Sequence, residues 1–139
     1  MKSFKLFNNI VGWVICAIAS AVYLSTIEPT ASFWDCGEFI ATAYKMEIGH
    51  PPGAPLFMLV GRVCSLFASD PSHVAMMINS LSALCSGFCI MFLFWTITHL
   101  ARKMMVEDGA EISAGQTIAI LGAGAVGAGH QVRRLVCVD

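Results

Sequence analysis

Leu6-Phe7-Asn8-Asn9-Ile10-Val11-Gly12-Trp13-Val14-Ile15-Cys16-Ala17-Ile18-Ala19-Ser20-Ala21-Val22-Tyr23-Leu24-Ser25-Thr26-Ile27 is a run of 22 residues without an Asp, Glu, Lys or Arg. A helix rises about 1.5 Å per residue and needs about 20 apolar residues to cross a hydrocarbon core of about 30 Å. The stretch therefore predicts a membrane-spanning helix. Moving outward, Pro71–Ala101 is a second and longer charge-free run. A third, Ile112–Val132, is weaker because it holds five glycines together with Gln116 and His130. Ile48–Gly61 is uncharged over 14 residues, but three of them are proline, too short and interrupted a stretch to span.

The composition of the 139 residues agrees, with 57% hydrophobic and 12% charged. A soluble domain carries about 45–50% apolar and about 25% charged residues. Eight Lys and Arg and nine Asp and Glu are too few to wrap a soluble core of this apolarity. That excludes an ordinary soluble enzyme and a disordered chain. A net charge of −1 leaves no electrostatic surplus for a phosphate backbone, so no nucleic-acid partner is expected. The expected fold is all-α and polytopic, with two clear spans, a possible third, and membrane lipid as its surroundings.

The basic residues orient it. Lys2 and Lys5 precede the first span, and Arg102 and Lys103 close the second. Lys and Arg at span ends stay on the cytoplasmic side, which places the N-terminus inside and residues 28–72 outside. That loop carries Glu28, Asp35, Glu38, Glu47 and Asp70 against Lys45 and Arg62. Lys2 and Lys5, the apolar Ile10–Ile18 and Ala19-Ser20-Ala21 also fit a secretory signal with a cleavage site. The apolar run continues past that point to Ile27, which favours a retained span.

Within the loop, Cys36, Phe39, Ile40, Ala43, Tyr44 and Met46 share one helical face, and Glu38, Thr42 and Lys45 the opposite one; Glu47 is the misfit. The pattern predicts an amphipathic helix lying on the membrane surface, with Trp34 and Tyr44 at interfacial depth. Asp35 and Glu38 are three residues apart and share a helical face. They suit a carboxylate pair in which one member is a general base on a hydroxyl. They suit equally a capping box, with Asp35 at the N-cap and Glu38 at N3, and spacing alone favours the cap.

His50-Pro51-Pro52-Gly53-Ala54-Pro55 breaks this helix with a rigid extended turn. His50 stands there either as an anion-binding group or as a solvated loop histidine. Ala54–Ala68 reads as a second surface helix. Arg62 within it needs to snorkel, to pair with a carboxylate or to meet a phosphate. The six cysteines have no metal-ligand spacing, and no metal is expected. Cys85 and Cys89 read as packing residues, while Cys36 and Cys64 share the outside loop without a spacing that requires a bond. Residues 117–127, ending in Gly122-Ala123-Gly124-Ala125-Val126-Gly127, imitate a strand with a dinucleotide fingerprint. Twelve residues after Gly127 cannot supply the helix, strand and acidic ribose ligand that motif requires. No nucleotide cofactor is expected, and Gly124 with Ala128 reads as a small-residue helix-packing pair.

The motifs Tyr23-Leu24-Ser25-Thr26-Ile27-Glu28-Pro29-Thr30, Phe33-Trp34-Asp35-Cys36-Gly37-Glu38-Phe39-Ile40-Ala41, Gly49-His50-Pro51-Pro52-Gly53-Ala54-Pro55-Leu56 and Gly61-Arg62 stand in one chain. Together they resemble the N-terminus of the protein O-mannosyltransferase-like membrane family, common in Bacteroidetes-type bacteria. The resemblance covers roughly residues 5–128. It implies a GT-C-class glycosyltransferase of a bacterial inner membrane. Such an enzyme moves a mannose-like sugar from a polyprenyl-phosphate carrier to a Ser or Thr hydroxyl of a protein acceptor, with no cofactor beyond that lipid-linked donor. Carried onto this chain, it implies Asp35 as the base and Glu38 as its support or as the group that orients the acceptor. His50, Arg62 and Trp34 are the substrate-binding candidates; the first two are chosen for the lipid phosphate on charge and position.

GT-C enzymes have on the order of ten spans, and the tail 129–139 loses the apolar pattern. The expectation is an N-terminal part, residues 1–128, followed by an atypical tail from truncation or frameshift, inactive by itself. The alternative from another class is a non-enzymatic membrane protein, such as a transporter fragment or structural subunit. A transporter predicts charged or broken segments at mid-membrane, whereas here the acids cluster in the loop.

Overall fold

The computed structural model describes residues 2–31, 35–51, 53–106 and 110–136. Among them are helices α1 (Lys2–Ser25), α2 (Cys36–Lys45), α3 (Pro55–Ser65), α4 (Val74–Met105) and α5 (Ala114–Val136), with a 3-10 turn at Pro71–His73 and no strand. The all-α expectation is borne out. Two helical segments, Ser3–Ser25 and Pro71–Met105, are long and apolar enough to cross a membrane. The third charge-free run forms α5, which is helical throughout but is not among the segments that meet that standard. The helix runs through residues 122–129 without a break, so the glycines of the imitation fingerprint lie on a helix rather than in a phosphate loop.

The chain divides into two compact units, residues 1–23 with 85–139, and residues 24–84. In the first, α1 presents Leu6, Ile10, Val14 and Ile18, four residues apart, each at least half exposed. A continuous apolar stripe of this kind suits lipid contact. Its other face packs closely. A Cβ on Gly12 would strike the Trp95 indole, and one on Gly87 would strike Ser20. Trp95 Nε1 donates to the Asn8 carbonyl at 3.3 Å, and Trp13 meets Phe88 and Trp95 edge-on, each at 6.4 Å. Between α4 and α5, a Cβ on Gly124 would stand 2.6 Å from the Thr98 methyl and 2.8 Å from the Phe94 ring, and one on Gly127 2.5 Å from Ile97. Phe94, Thr98, Ile120 and Ala128 are buried there. The small-residue seam expected at Gly124 and Ala128 is present, with Gly127 as an added member. Cys85 and Cys89 correct their reading as packing residues, since both are exposed.

In the second unit, α2 and α3 close over the beginning of α4. Ala43, Met58, Val74 and Ile78 form the buried centre, with Phe39, Ile40, Tyr44 and Phe57 packed around it. A Cβ on Gly61 would lie 3.0 Å from that of Ala43, so the absent side chain lets the two helices approach. The apolar face of α2, expected to lie on the membrane surface, packs instead against α3 and the start of α4. Thr42 does not follow its polar assignment. It is buried, with its hydroxyl donating to the Glu38 carbonyl at 2.7 Å and standing 3.2 Å from Met58 Sδ, because α3 covers it. A hydroxyl that satisfies itself on its own helix can be buried at little cost.

Candidate functional site

The loop acids converge on one histidine. The Glu38 carboxylate accepts the His50 backbone N–H at 2.7 Å through Oε1 and meets His50 Nδ1 at 2.8 Å through Oε2. His50 Nε2 stands 3.8 Å from Asp35 Oδ2. All three side chains remain substantially exposed, between 40% and 57%. Helix α2 supplies both acids from its first turn. The proline segment supplies the histidine by doubling back: Gly53 N–H donates to the His50 carbonyl at 3.0 Å, and Gly53 takes a left-handed φ of 71° that suits glycine. A Cβ on Gly49 would lie 3.2 Å from Glu38 Oε1, so the bare backbone at Gly49 admits the carboxylate to the His50 amide.

This geometry corrects the capping-box expectation. Asp35 occupies the N-cap position of α2, but its backbone is helical (φ −73°, ψ −3°) and its side chain makes no cap hydrogen bond. Glu38 does not reach back to the N-cap amide; it reaches forward twelve residues to His50. The electrostatics follow from the same contacts. The His50 backbone N–H, and after it the ring, hold the Glu38 carboxyl below its ordinary 4.5. The Glu38 hydrogen bond, then the charges of Glu38 and Asp35, raise His50 above 6.5. One ligand atom from each of Asp35, Glu38 and His50 falls within 4.8 Å of the others, so the three side chains converge on one small space.

Arg62 is placed elsewhere in the unit. Its Nη1 donates to the Tyr44 carbonyl at 2.6 Å, and its guanidinium lies over the Tyr44 ring, 5.4 Å from the centroid. That carbonyl belongs to the last turn of α2, where acceptors lack intrahelical donors and a cation is favoured. No carboxylate pairs with Arg62 among the described residues. Trp34 lies outside the described residues. Cys36 and Cys64 are both free thiols.

Two positioning residues were not singled out from sequence. Gly49 is one, and its only signal is a glycine directly before the histidine. The other is Asn79, a lone amide inside the second charge-free run. Its Nδ2 donates to the carbonyls of Glu28 at 2.9 Å and Thr30 at 3.1 Å, pinning the start of the loop, and its Oδ1 lies 3.9 Å from Cys36 Sγ. Asp70 forms a second carboxylate–histidine contact, with His73 Nδ1 at 2.7 Å, but this one is local. It also accepts from Ser72, whose side chain and backbone lower its acidity range below 3.8. It caps the 3-10 turn that leads into α4.

Two helical segments long and apolar enough to cross a membrane, joined in sequence by an acid-rich folded segment, suggest a membrane-associated all-helical protein. Residues 35–131 match the Protein O-mannosyl-transferase TMEM260 N-terminal domain, and the chain belongs to that family. It is 31% identical over 86 residues to "Protein O-mannosyl-transferase tmem260" of Dictyostelium discoideum, covering 61% of this chain and 10% of that protein. It is 32% identical over 102 residues to "Protein O-mannosyl-transferase TMEM260" of Mus musculus, covering 73% of this chain and 14% of that protein. The chain thus spans only a small part of the length of the curated relatives it matches. No solved structure matches it significantly. The resemblance read from residues 23–62 is borne out, and the matched range contains Asp35, Glu38, His50 and Arg62.

Proposed function

We propose that this chain carries the acidic loop of a GT-C-class protein O-mannosyltransferase, which takes a mannose-like sugar from a polyprenyl-phosphate donor to a Ser or Thr hydroxyl. Asp35 is the base. Its carboxylate takes the hydroxyl proton as the oxygen bonds to the anomeric carbon, and the bond from that carbon to the donor phosphate breaks with inversion. The observation that carries this reading is the unequal state of the two acids. Both oxygens of Glu38 are taken up by His50, whereas Asp35 is 57% exposed and meets His50 at 3.8 Å, beyond hydrogen-bond length. A base must reach the proton it removes, so Glu38 supports and Asp35 reacts. His50, when protonated, is the nearer positive charge for the donor phosphate, acting on it through charge and not through a bond from Nε2, which faces Asp35. Arg62 is the secondary one, through the donors not used on Tyr44.

The activity is assigned to a polypeptide of the relatives' length, and none is expected from these 139 residues alone. The proposed topology keeps the basic ends on the cytosolic side and residues 28–72 on the opposite face. Both relatives above are eukaryotic, so they lend no support to a bacterial inner membrane. The test is transfer of mannose from a polyprenyl-phosphate donor to an acceptor peptide by a full-length polypeptide carrying this segment. Asp35→Asn is expected to lower transfer by about 10²–10⁴-fold, the usual weight of a general base. Unchanged transfer would remove Asp35 from the chemistry.

A further inference from the structure

We propose that His50 is a positioning residue of this site: Glu38 grips it at two points, its backbone N–H and its Nδ1, so that the remaining ring nitrogen faces Asp35 and holds that carboxylate at the mouth of the loop. The inference rests on the reading of Asp35 as the base and adds what orients it.

The argument begins with the grip. A single hydrogen bond to an exposed imidazole would leave the ring free to rotate. Two contacts from one carboxylate, to the ring and to the backbone of the same residue, fix both the position of the loop and the direction of the ring. Nδ1 then carries its proton toward Glu38, and Nε2 has one direction left, toward Asp35 Oδ2. A carboxylate that fixes a histidine through one nitrogen determines what the other can do. Gly49 belongs to the same device, because a side chain there would press on Glu38 Oε1.

Charge makes the arrangement conditional. Asp35 and Glu38 are like charges one helical turn apart and repel each other. An imidazolium between them cancels that repulsion and attracts both. A neutral ring that keeps its proton on Nδ1 presents a lone pair to Asp35 and loses its hold. The hold on Asp35 therefore exists only with His50 protonated, while the backbone bond to Glu38 persists in either state. The charged groups facing the ring are Asp35 and Glu38 from α2. The same helix also presents the uncharged edge of Phe39, with ring centroids 6.3 Å apart. Among the described residues α3 brings no charged group to it. A simple loop staple would need only the Glu38 contacts; a positioning role needs the coupling to Asp35 as well.

The experiment is a ring-nitrogen NMR titration of histidine-labelled full chain in nanodiscs, with metal chelator present and the His50 signal assigned by its loss in His50→Gln. The expected result is a His50 midpoint above 6.5 with Nδ1 protonated throughout. Asp35→Asn should lower that midpoint and leave the His50 amide as slow to exchange as before. Glu38→Ala, which removes the acceptor of the His50 N–H, should lower the midpoint further and speed amide exchange about fivefold, the loss expected for one hydrogen bond. Asp35→Asn is an isosteric change at an exposed side chain, and unchanged far-UV dichroism checks the fold. An unmoved midpoint in Asp35→Asn would overturn the proposal while leaving the transfer chemistry of Asp35 to its own assay. Normal transfer by Asp35→Asn with a shifted midpoint would sink the catalytic reading instead.

Discussion

In the unit formed by residues 1–23 and 85–139, helices meet mainly where side chains are missing; in residues 24–84 an apolar centre is joined by polar groups that find partners around it. Gly12, Gly87, Gly124 and Gly127 each face a neighbour that a Cβ would strike. The loop unit uses one such glycine at its helix contact, Gly61, and adds Arg62 on the Tyr44 carbonyl, Asn79 on Glu28 and Thr30, and Glu38 on His50. The difference suits the surroundings that the proposed topology gives each part. Between apolar helices in lipid, association relies on close van der Waals contact because lipid is as apolar as the side chains. A loop that meets water can use hydrogen bonds and charge to hold a site in register.

The sharpest way to break this contrast is to fill the seam. Gly124→Leu places a side chain against Thr98 and Phe94 and should cost about 1–3 kcal/mol or more by overpacking. Gly122→Leu, with nothing within 4 Å of its Cβ, should cost far less. Thermal unfolding of the two variants in one detergent checks the pair. Arg62→Met should cost the loop unit about 1–2 kcal/mol, because a charged donor to the α2 terminus is lost. Denaturant unfolding followed by the loop aromatics reads this, with no change expected in the exchange of α5 amides.

A third prediction uses pH. Glu38 is held below its ordinary 4.5, so its contribution is complete above that value and is lost as pH falls through the lowered range. His50 is raised above 6.5, so its contribution is complete below that value and is lost as pH rises through the raised range. Amide protection of the His50 segment, corrected for intrinsic exchange, should therefore be greatest between the two ordinary values, with no matching maximum in α5. The smallest effect is expected at Met46, a non-glycine residue at φ 58° ending α2. Met46→Gly should stabilise the loop unit by up to about 1 kcal/mol, and Met46→Val should destabilise it, as melting temperatures will show.

Much of the scaffold was legible because it depends on local regularities. Runs of about 20 apolar residues announce long helices. The Pro51–Pro55 segment announces the break between α2 and α3, and the apolar stripe of α2 announces what α3 covers. The site was legible as a set of residue types but not as a connection. Asp35 and Glu38 at i and i+3 read most simply as a cap, since sequence spacing reports helical neighbours alone. The partner that decides otherwise is His50, brought within reach by a turn whose closure depends on Gly53 and whose approach depends on Gly49. Arg62 shows a related limit. A lone cation in an apolar helix suggests an anion, yet the acceptor it finds is a backbone carbonyl, which no charge pattern displays.

The division of labour between the two acids is tested most directly by one paired measurement on a full-length polypeptide carrying this segment: mannose transfer and His50 amide exchange in Asp35→Asn and Glu38→Ala. The expected result is that Asp35→Asn abolishes most transfer and leaves the amide protected. Glu38→Ala, which removes the acceptor of the His50 N–H, should release the amide and retain more transfer than Asp35→Asn. Full transfer by Asp35→Asn, or a protected His50 amide in Glu38→Ala, would contradict the account.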